Sequence, residues 1–235
     1  MKVVCDLHIH SCLSPCGDLE MSPNEIALEA KRRGLDVIAL TDHNSALNTP
    51  AFRTACRKAG IFGIYGIEIT SSEEAHVLAL FKTPEDAMEM GKLIYKGLLS
   101  VQNDPEKWGD QVYLDDDENI IGEVEKYLTG GASCYSISEL LEMTLNMGGM
   151  FIPAHIDKPQ FSIKSQLGFL PKENYTAVGV TKLPPIMELH GIPYITNSDA
   201  HYLHNIGDRS FTLEIEDLTF TYIKEAIISG KITIT

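Results

Sequence analysis

Long apolar runs, a paired cysteine framework and an excess of basic charge are all missing from this 235-residue chain. No stretch of about 18 apolar residues occurs, so neither a membrane-spanning helix nor a membrane partner is expected. The five cysteines, Cys5, Cys12, Cys16, Cys56 and Cys134, are odd in number and show no paired spacing. That excludes a fully paired disulfide scaffold. With no secretory leader at the start, it makes a reducing cytoplasm the expected location. Lys and Arg total 19 against 33 Asp and Glu, a formal net charge of −14. Binding to duplex nucleic acid rests on neutralising phosphates, so this balance argues against a long duplex partner. It leaves a small phosphorylated substrate open, because bound cations can reverse the local field. A single Trp, Trp108, and no basic, aromatic-interleaved stretch speak against a single-strand groove.

Hydrophobic periodicity and cap signals describe an α/β chain. Val3-Val4-Cys5 and Val37-Ile38-Ala39-Leu40 read as short buried strands. Ser22-Pro23-Asn24-Glu25 has a capping Ser, a Pro at the first helical position and a Glu three residues after the cap. It predicts a helix that stops at Gly34. A second helix is predicted from Thr49 to Ala59, stopped by Gly60, followed by strands over Ile61–Ile69 and His76–Phe81. The β-α-β-α-β order predicts a parallel sheet with crossover helices. From Pro84 to Gly131 the chain becomes polar after one helical stretch, and this segment is expected to be an inserted cap or lid on a single domain spanning residues 1–235. A helix from Ser136, strands at Met150–Ala154, Ala177–Val180, Tyr194–Thr196 and Phe211–Ile215, a helix over Phe220–Ile228 and a strand at Ile232–Ile234 complete the reading.

Residues of the ligand type follow the apolar strands: His8 and His10, Asp42 and His43, Glu68, His155, Asp199 and His201. His76 instead precedes its strand. In parallel α/β architectures the carboxyl ends of strands converge on one rim, where sites are built. His8-Ile9-His10 and Asp199-Ala200-His201 each place two donors on one side of an extended segment. Imidazole nitrogen and carboxylate oxygen together suit Zn²⁺, Mn²⁺ or Fe²⁺ without choosing among them. Six of the eight histidines fall in these motifs; His190 and His204 read as surface or supporting residues.

Taken in order, Asp6-Leu7-His8-Ile9-His10-Ser11, Leu40-Thr41-Asp42-His43-Asn44, Gly66-Ile67-Glu68-Ile69-Thr70, His76, Pro153-Ala154-His155 and Ser198-Asp199-Ala200-His201 resemble the PHP (polymerase and histidinol phosphatase) family. The resemblance implies a distorted (β/α)7, TIM-like barrel and a centre of two or three divalent ions. By the same resemblance, His8, His10, Glu68 and Asp199 surround one ion, Glu68, His76 and His155 a second, and His43 with His201 a third. Asp42 then orients a ligand rather than binding metal. One departure stands out: where the family carries an Asp or His about five residues after the second His, this chain has Pro15. Either Asp18 or Cys16 replaces that ligand, with Asp18 preferred, or the third site is weak.

The expected activity is hydrolysis of a phosphate ester on a small metabolite or nucleotide. Asp199 and His201 assist the reacting groups, while Lys158 and Arg209 grip the phosphate. Two other classes stay open: a non-catalytic, metal-stabilised regulatory module, and an amidohydrolase-type C–N hydrolase.

Overall fold

The computed structural model describes residues 1–234. The expected β-α-β-α-β order is formed by β1 (Lys2–Ile9), α1 (Pro23–Arg32), β2 (Val37–Leu40), α2 (Thr49–Ala59) and β3 (Phe62–Thr70). Then come β4 (His76–Phe81), α3 (Pro84–Gly97), α4 (Pro105–Trp108), β5 (Val112–Leu114), β6 (Ile120–Glu123), α5 (Ile137–Asn146) and β7 (Met150–Pro153). The chain ends with α6 (Ile163–Leu167), β8 (Val178–Gly179), β9 (Tyr194–Ile195), β10 (Phe211–Glu214), α7 (Phe220–Ile228) and β11 (Ile232–Ile234).

The cap signals act as the sequence indicates. Ser22 Oγ accepts the Glu25 N–H ahead of α1, and Ser136 with Glu139 closes a full capping box on α5. Each such cap contributes about 1 kcal/mol. Gly60 ends α2 in the left-handed conformation, at φ 68°, where a Cβ would be strained.

Seven strands form one sheet in the order β11-β10-β1-β2-β3-β4-β7, curled into a half-barrel. Only the β1–β2 and β2–β3 pairs are parallel; β3–β4, β4–β7 and β1–β10 are antiparallel. Strict β/α alternation therefore stops at β3, because the Ser71–Ala75 turn sends the chain straight back as β4. β8 and β9 pair with each other in a separate parallel ladder. Single bonds attach that pair across the open side: Ile156 N–H donates to the Gly179 carbonyl (2.8 Å) and His10 N–H to the Ala200 carbonyl (2.9 Å).

Two apolar layers flank the sheet. Ile38, Leu40, Ile67, Ile69, Val77 and Ala79 face the helices on its outside. Val37, Ala39, Ile64, Leu78 and Leu80 fill the inside of the curl, where α7 adds Phe220, Ile223 and Ile227. Glu68 shares the parity of Ile64, and His76 that of Leu78 and Leu80, so both carry the inner face to its polar rim. β1 does this differently. Its register to β2 shifts between Asp6 and Ile9, so Leu7 lies in the inner layer while Ile9 lies in the outer one. A bulge of this kind re-aims side chains, and it turns His8 and His10 inward.

The polar segment divides differently from the expected lid over Pro84–Gly131. α3 is an ordinary outer helix of the sheet, burying Ala87, Met90 and Ile94 at helical spacing. The excursion proper follows it, comprising α4 and the β5–β6 hairpin. Val124 and Leu128 anchor it against Leu13 and Leu98. Among the described residues, no helix is long and apolar enough to cross a membrane.

Gly66 sets the spacing of β3 against β4. A Cβ there would meet Leu80 Cδ2 at 2.5 Å and the Ala79 carbonyl oxygen at 2.7 Å. The oxygen belongs to the neighbouring ladder and cannot swing aside. Gly66→Ala is expected to cost about 1–3 kcal/mol of stability, measured as a lower urea midpoint with an unchanged slope.

Candidate metal centre

Glu68, 1% exposed, lies at the centre of the polar rim. Its Oε2 is 3.2 Å from His8 Nε2, His10 Nε2 and His43 Nδ1. Its Oε1 is 3.0 Å from His76 Nδ1 and His155 Nε2. Asp199 adds a second carboxylate, with Oδ1 3.3 Å from both His8 Nε2 and His10 Nε2. Its Oδ2 pairs with the Lys158 ammonium. These residues come from β1 and its carboxyl end, the loop after β2, β3, β4, the turn after β7 and the loop after β9. His155 (φ 27°) and Asp199 (φ 56°) hold positive backbone angles, a strain that clusters at functional sites.

The electrostatics follow from burial and proximity. Burial alone would raise the Glu68 carboxyl, but the facing His8, His76 and His43 outweigh it and hold it well below the usual carboxylate range. Asp199 is likewise held well below that range, against its burial, by His8 and His10. His10 is pulled the other way: its burial is outweighed by Asp199 and Glu68, which raise it to about 10. Burial pushes His43 well below its ordinary value and His201 down to about 4.

Hydrogen bonds fix two tautomers. Ser14 Oγ donates to Asp42 Oδ1 (2.8 Å) and accepts the His43 backbone N–H (3.1 Å). Its one proton is thus committed, and His10 Nδ1, 3.0 Å away, must donate to it. That turns His10 Nε2 toward Glu68 and Asp199. His201 Nδ1 lies 2.9 Å from the Asp199 carbonyl oxygen and can only donate to it, leaving Nε2 free. Sequence reasoning missed Ser14, although its position four residues after His10 in the same loop was the available clue. Buried against Ser11 and Ser14, Asp42 braces the ligand-bearing loop and points no oxygen at Glu68.

A divalent cation fits this arrangement. His8 Nε2 and His10 Nε2 are 3.0 Å apart, the separation of two donors that each sit about 2.1 Å from one ion. Buried Glu68 Oε2 and His43 Nδ1 have no hydrogen-bond partner of acceptable geometry despite their crowding, as does His155 Nδ1. Such buried polar atoms are costly unless something else satisfies them. Three sets of donors lie within mutual reach of 4.8 Å: His8, His10, Glu68 and Asp199; His43, Glu68 and His76; and His10, His43 and His201.

The third set contains neither replacement proposed for the ligand missing at Pro15. Asp18 Oδ1 instead accepts the Glu20 N–H at 2.8 Å, so its carboxylate is turned into its own loop. Cys16 belongs to none of the three sets, and desolvation of its thiol together with the charges of Glu68 and Asp199 pushes it up to about 12. His10 takes the place next to His43 and His201. Lys158 lines the cavity over the cluster, about 230 Å³ in volume, whereas Arg209 is exposed and does not. No residue lining this cavity comes from the α4–β6 excursion. His190 pairs with Glu188 and His204 is exposed, both away from the cluster.

An α/β half-barrel with buried imidazoles and carboxylates gathered at its rim defines a class of protein built to hold divalent metal ions. The family model described as "PHP domain" matches residues 6–160, and the chain belongs to that family. Its relatives differ widely in length. The error-prone DNA polymerase of Nocardia farcinica is 40% identical over 65 residues, 28% of this chain but only 6% of the polymerase. Among solved structures, the lesion-specific endonuclease Q of Pyrococcus furiosus superposes with a TM-score of 0.69 at 22% identity, covering 100% of this chain and 58% of the endonuclease. A metal-dependent phosphoesterase from Bifidobacterium adolescentis, described as putative, gives 0.61 at 16% identity with 96% of both chains covered.

The expectation that long duplex nucleic acid is excluded is corrected by these comparisons. An endonuclease Q complex, covering 100% of this chain at TM-score 0.67, holds a 27-mer duplex with an abasic lesion at its active site. A longer protein that shares this fold therefore accepts duplex DNA. The −14 charge misled because it sums the whole surface, whereas a ligand feels the local field, which bound cations can invert.

Glu68→Gln keeps the size of the side chain and removes the charge shared by two of the three donor sets. It is expected to weaken divalent-ion binding by more than about 100-fold, beyond the 10–100-fold typical of supporting residues. Asp18→Ala and Cys16→Ser should leave metal content unchanged. Elemental analysis after dialysis against each metal checks all three variants.

Proposed function

We propose that this chain is a metal-dependent phosphoesterase acting on a nucleotide or another phosphorylated metabolite. The reading rests chiefly on one observation: Glu68 and Asp199 gather six imidazoles, four of which line a single cavity together with both carboxylates and Lys158. The order of motifs and the family membership support it.

His8, His10, Glu68 and Asp199 would hold one divalent ion, with His43, His76, His155 and His201 completing the neighbouring positions. Ions held there supply activated water at neutral pH and offset charge developing on phosphorus. The remaining work belongs to the chain. Lys158 Nζ, resting against Asp199, is placed to donate to a phosphate oxygen and neutralise the ester as it enters. His201, brought down to about 4 by its burial, is neutral at pH 7, and with Nδ1 held by the Asp199 carbonyl it presents its Nε2 lone pair to the cluster. Asp199 links the His8–His10 pair to Lys158, with one oxygen toward each. The walls formed by Glu68 and His155 are almost fully buried, which limits bulk water and strengthens each charge interaction.

A panel of phosphorylated metabolites and nucleotides, assayed with Mn²⁺, Zn²⁺ and Fe²⁺ in turn, tests the reading. At least one ester should be hydrolysed. His10→Ala should reduce that turnover by about 10²–10⁴-fold with the circular dichroism spectrum retained. Failure to turn over any phosphate ester with any of the metals would overturn the proposal. Lys158→Ala should lower kcat/KM about 10–150-fold, the equivalent of one charge-assisted hydrogen bond, while metal content stays constant.

A further inference from the structure

Beside the cluster stands a residue that neither metal binding nor core packing accounts for. Phe161 lines the cavity together with Lys158 and His76, yet it is 46% exposed. Its backbone sits at φ 49°, in the left-handed region that a bulky side chain rarely enters. The segment is held there deliberately. The His76 N–H donates to the Phe161 carbonyl at 2.9 Å, and Ser162 Oγ donates to the Lys158 carbonyl at 2.6 Å, closing the turn that carries Phe161. The Phe161 ring lies 5.0 Å from the His76 ring at an interplanar angle of 10°. With one face stacked on His76, the exposure belongs to the rest of the ring, at the mouth of the cavity.

The size of the cavity gives this ring a purpose. About 230 Å³ is less than the 300–1,000 Å³ typical of pockets that enclose a whole small ligand. The phosphate and the carbon it is attached to fit inside, and the remainder of the substrate must lie across the mouth. The mouth is where the chain offers a rigid, flat, uncharged surface.

We propose that Phe161 is the stacking platform for a nucleobase, so the substrate is a nucleoside phosphate whose base rests on Phe161 while its phosphate reaches Lys158 and the metal cluster. This deepens the phosphoesterase reading and rests on it. Stacking needs no positive groove, because every base offers a π face; an acidic chain can hold a nucleotide in this way. The same ring serves a free nucleotide or a nucleotide at the end of a polymer, and the two are separated by experiment.

The test compares the metal-loaded wild type with Phe161→Ala, Phe161→Leu and Phe161→Trp on three substrates: adenosine monophosphate, a short single-stranded oligonucleotide and base-free ribose 5-phosphate. Phe161→Ala should lower kcat/KM about 5–150-fold on a base-bearing substrate, the fold-change equivalent of one stacked base. The loss should fall mainly on KM. Phe161→Trp should restore the value and Phe161→Leu should not, while ribose 5-phosphate hydrolysis stays unchanged. The base-bearing substrate that shows the loss identifies the source, free nucleotide or polymer. An equal loss on ribose 5-phosphate would mean that Phe161 only props His76, and this overturns the proposal, as does an absence of loss on both base-bearing substrates. If no ester is hydrolysed by the wild type, the phosphoesterase reading has failed separately, and calorimetric binding decides the stacking. Adenosine monophosphate should bind more tightly than ribose 5-phosphate, with the difference abolished in Phe161→Ala; equal binding overturns the platform.

Discussion

A carboxylate shut away from water and ringed by five imidazoles is an expensive arrangement, and the rest of this structure is organised around meeting its cost. An ion buried without compensation loses several kcal/mol even after relaxation. Glu68 receives that compensation from His8, His10 and His43 on one oxygen and from His76 and His155 on the other. The imidazoles create a second difficulty, because nitrogens such as those of His8 and His10 approach within 3.0 Å. Two lone pairs at that distance repel unless a proton or a cation lies between them. Divalent ions satisfy both requirements at once, which is why the donor set itself points to metal.

The scaffold supplies precision through a few local irregularities. The bulge in β1 breaks strict alternation and delivers both His8 and His10 to the inner rim. Left-handed angles at His155 and Asp199 bend the chain sharply after β7 and β9, so that their side chains turn back over Glu68. Asp42, Ser11 and Ser14 then lock the loop after β1 and determine which nitrogen His10 presents. Each device costs some stability locally, and the two apolar layers of the curled sheet offset it.

Charge was the least reliable guide. A net charge of −14 describes how the surface as a whole repels polyanions, yet a same-fold endonuclease holds a DNA duplex. Where ligands meet a recessed metal cluster, the local field and the shape of the rim govern recognition. Phe161 illustrates the point, since a flat apolar ring contributes nothing to net charge and still offers binding surface.

Local pattern in the sequence was enough to single out the candidate donors, because donors placed next to strands at a spacing of two can be read from periodicity. His8, His10, Glu68, Asp199 and their partners were all legible, and so were the caps at Ser22 and Ser136. Local pattern also predicted α7 and β11 with their observed bounds. What it left undecided depended on distances between residues far apart in the chain. Asp18 and Cys16 both follow His10 in the same loop, but the loop turns the Asp18 carboxylate onto Glu20 and brings His10 itself beside His43 and His201. α3 looked like the start of a lid until its apolar stripe met the sheet, and Arg209 looked close to Asp199 until the fold left it in solvent. Periodicity acts over a few residues, whereas the closure of β1 against the loop after β9 joins positions some 190 residues apart, as between Leu7 and Asn197. Only packing of the complete sheet could decide which side chains share the rim.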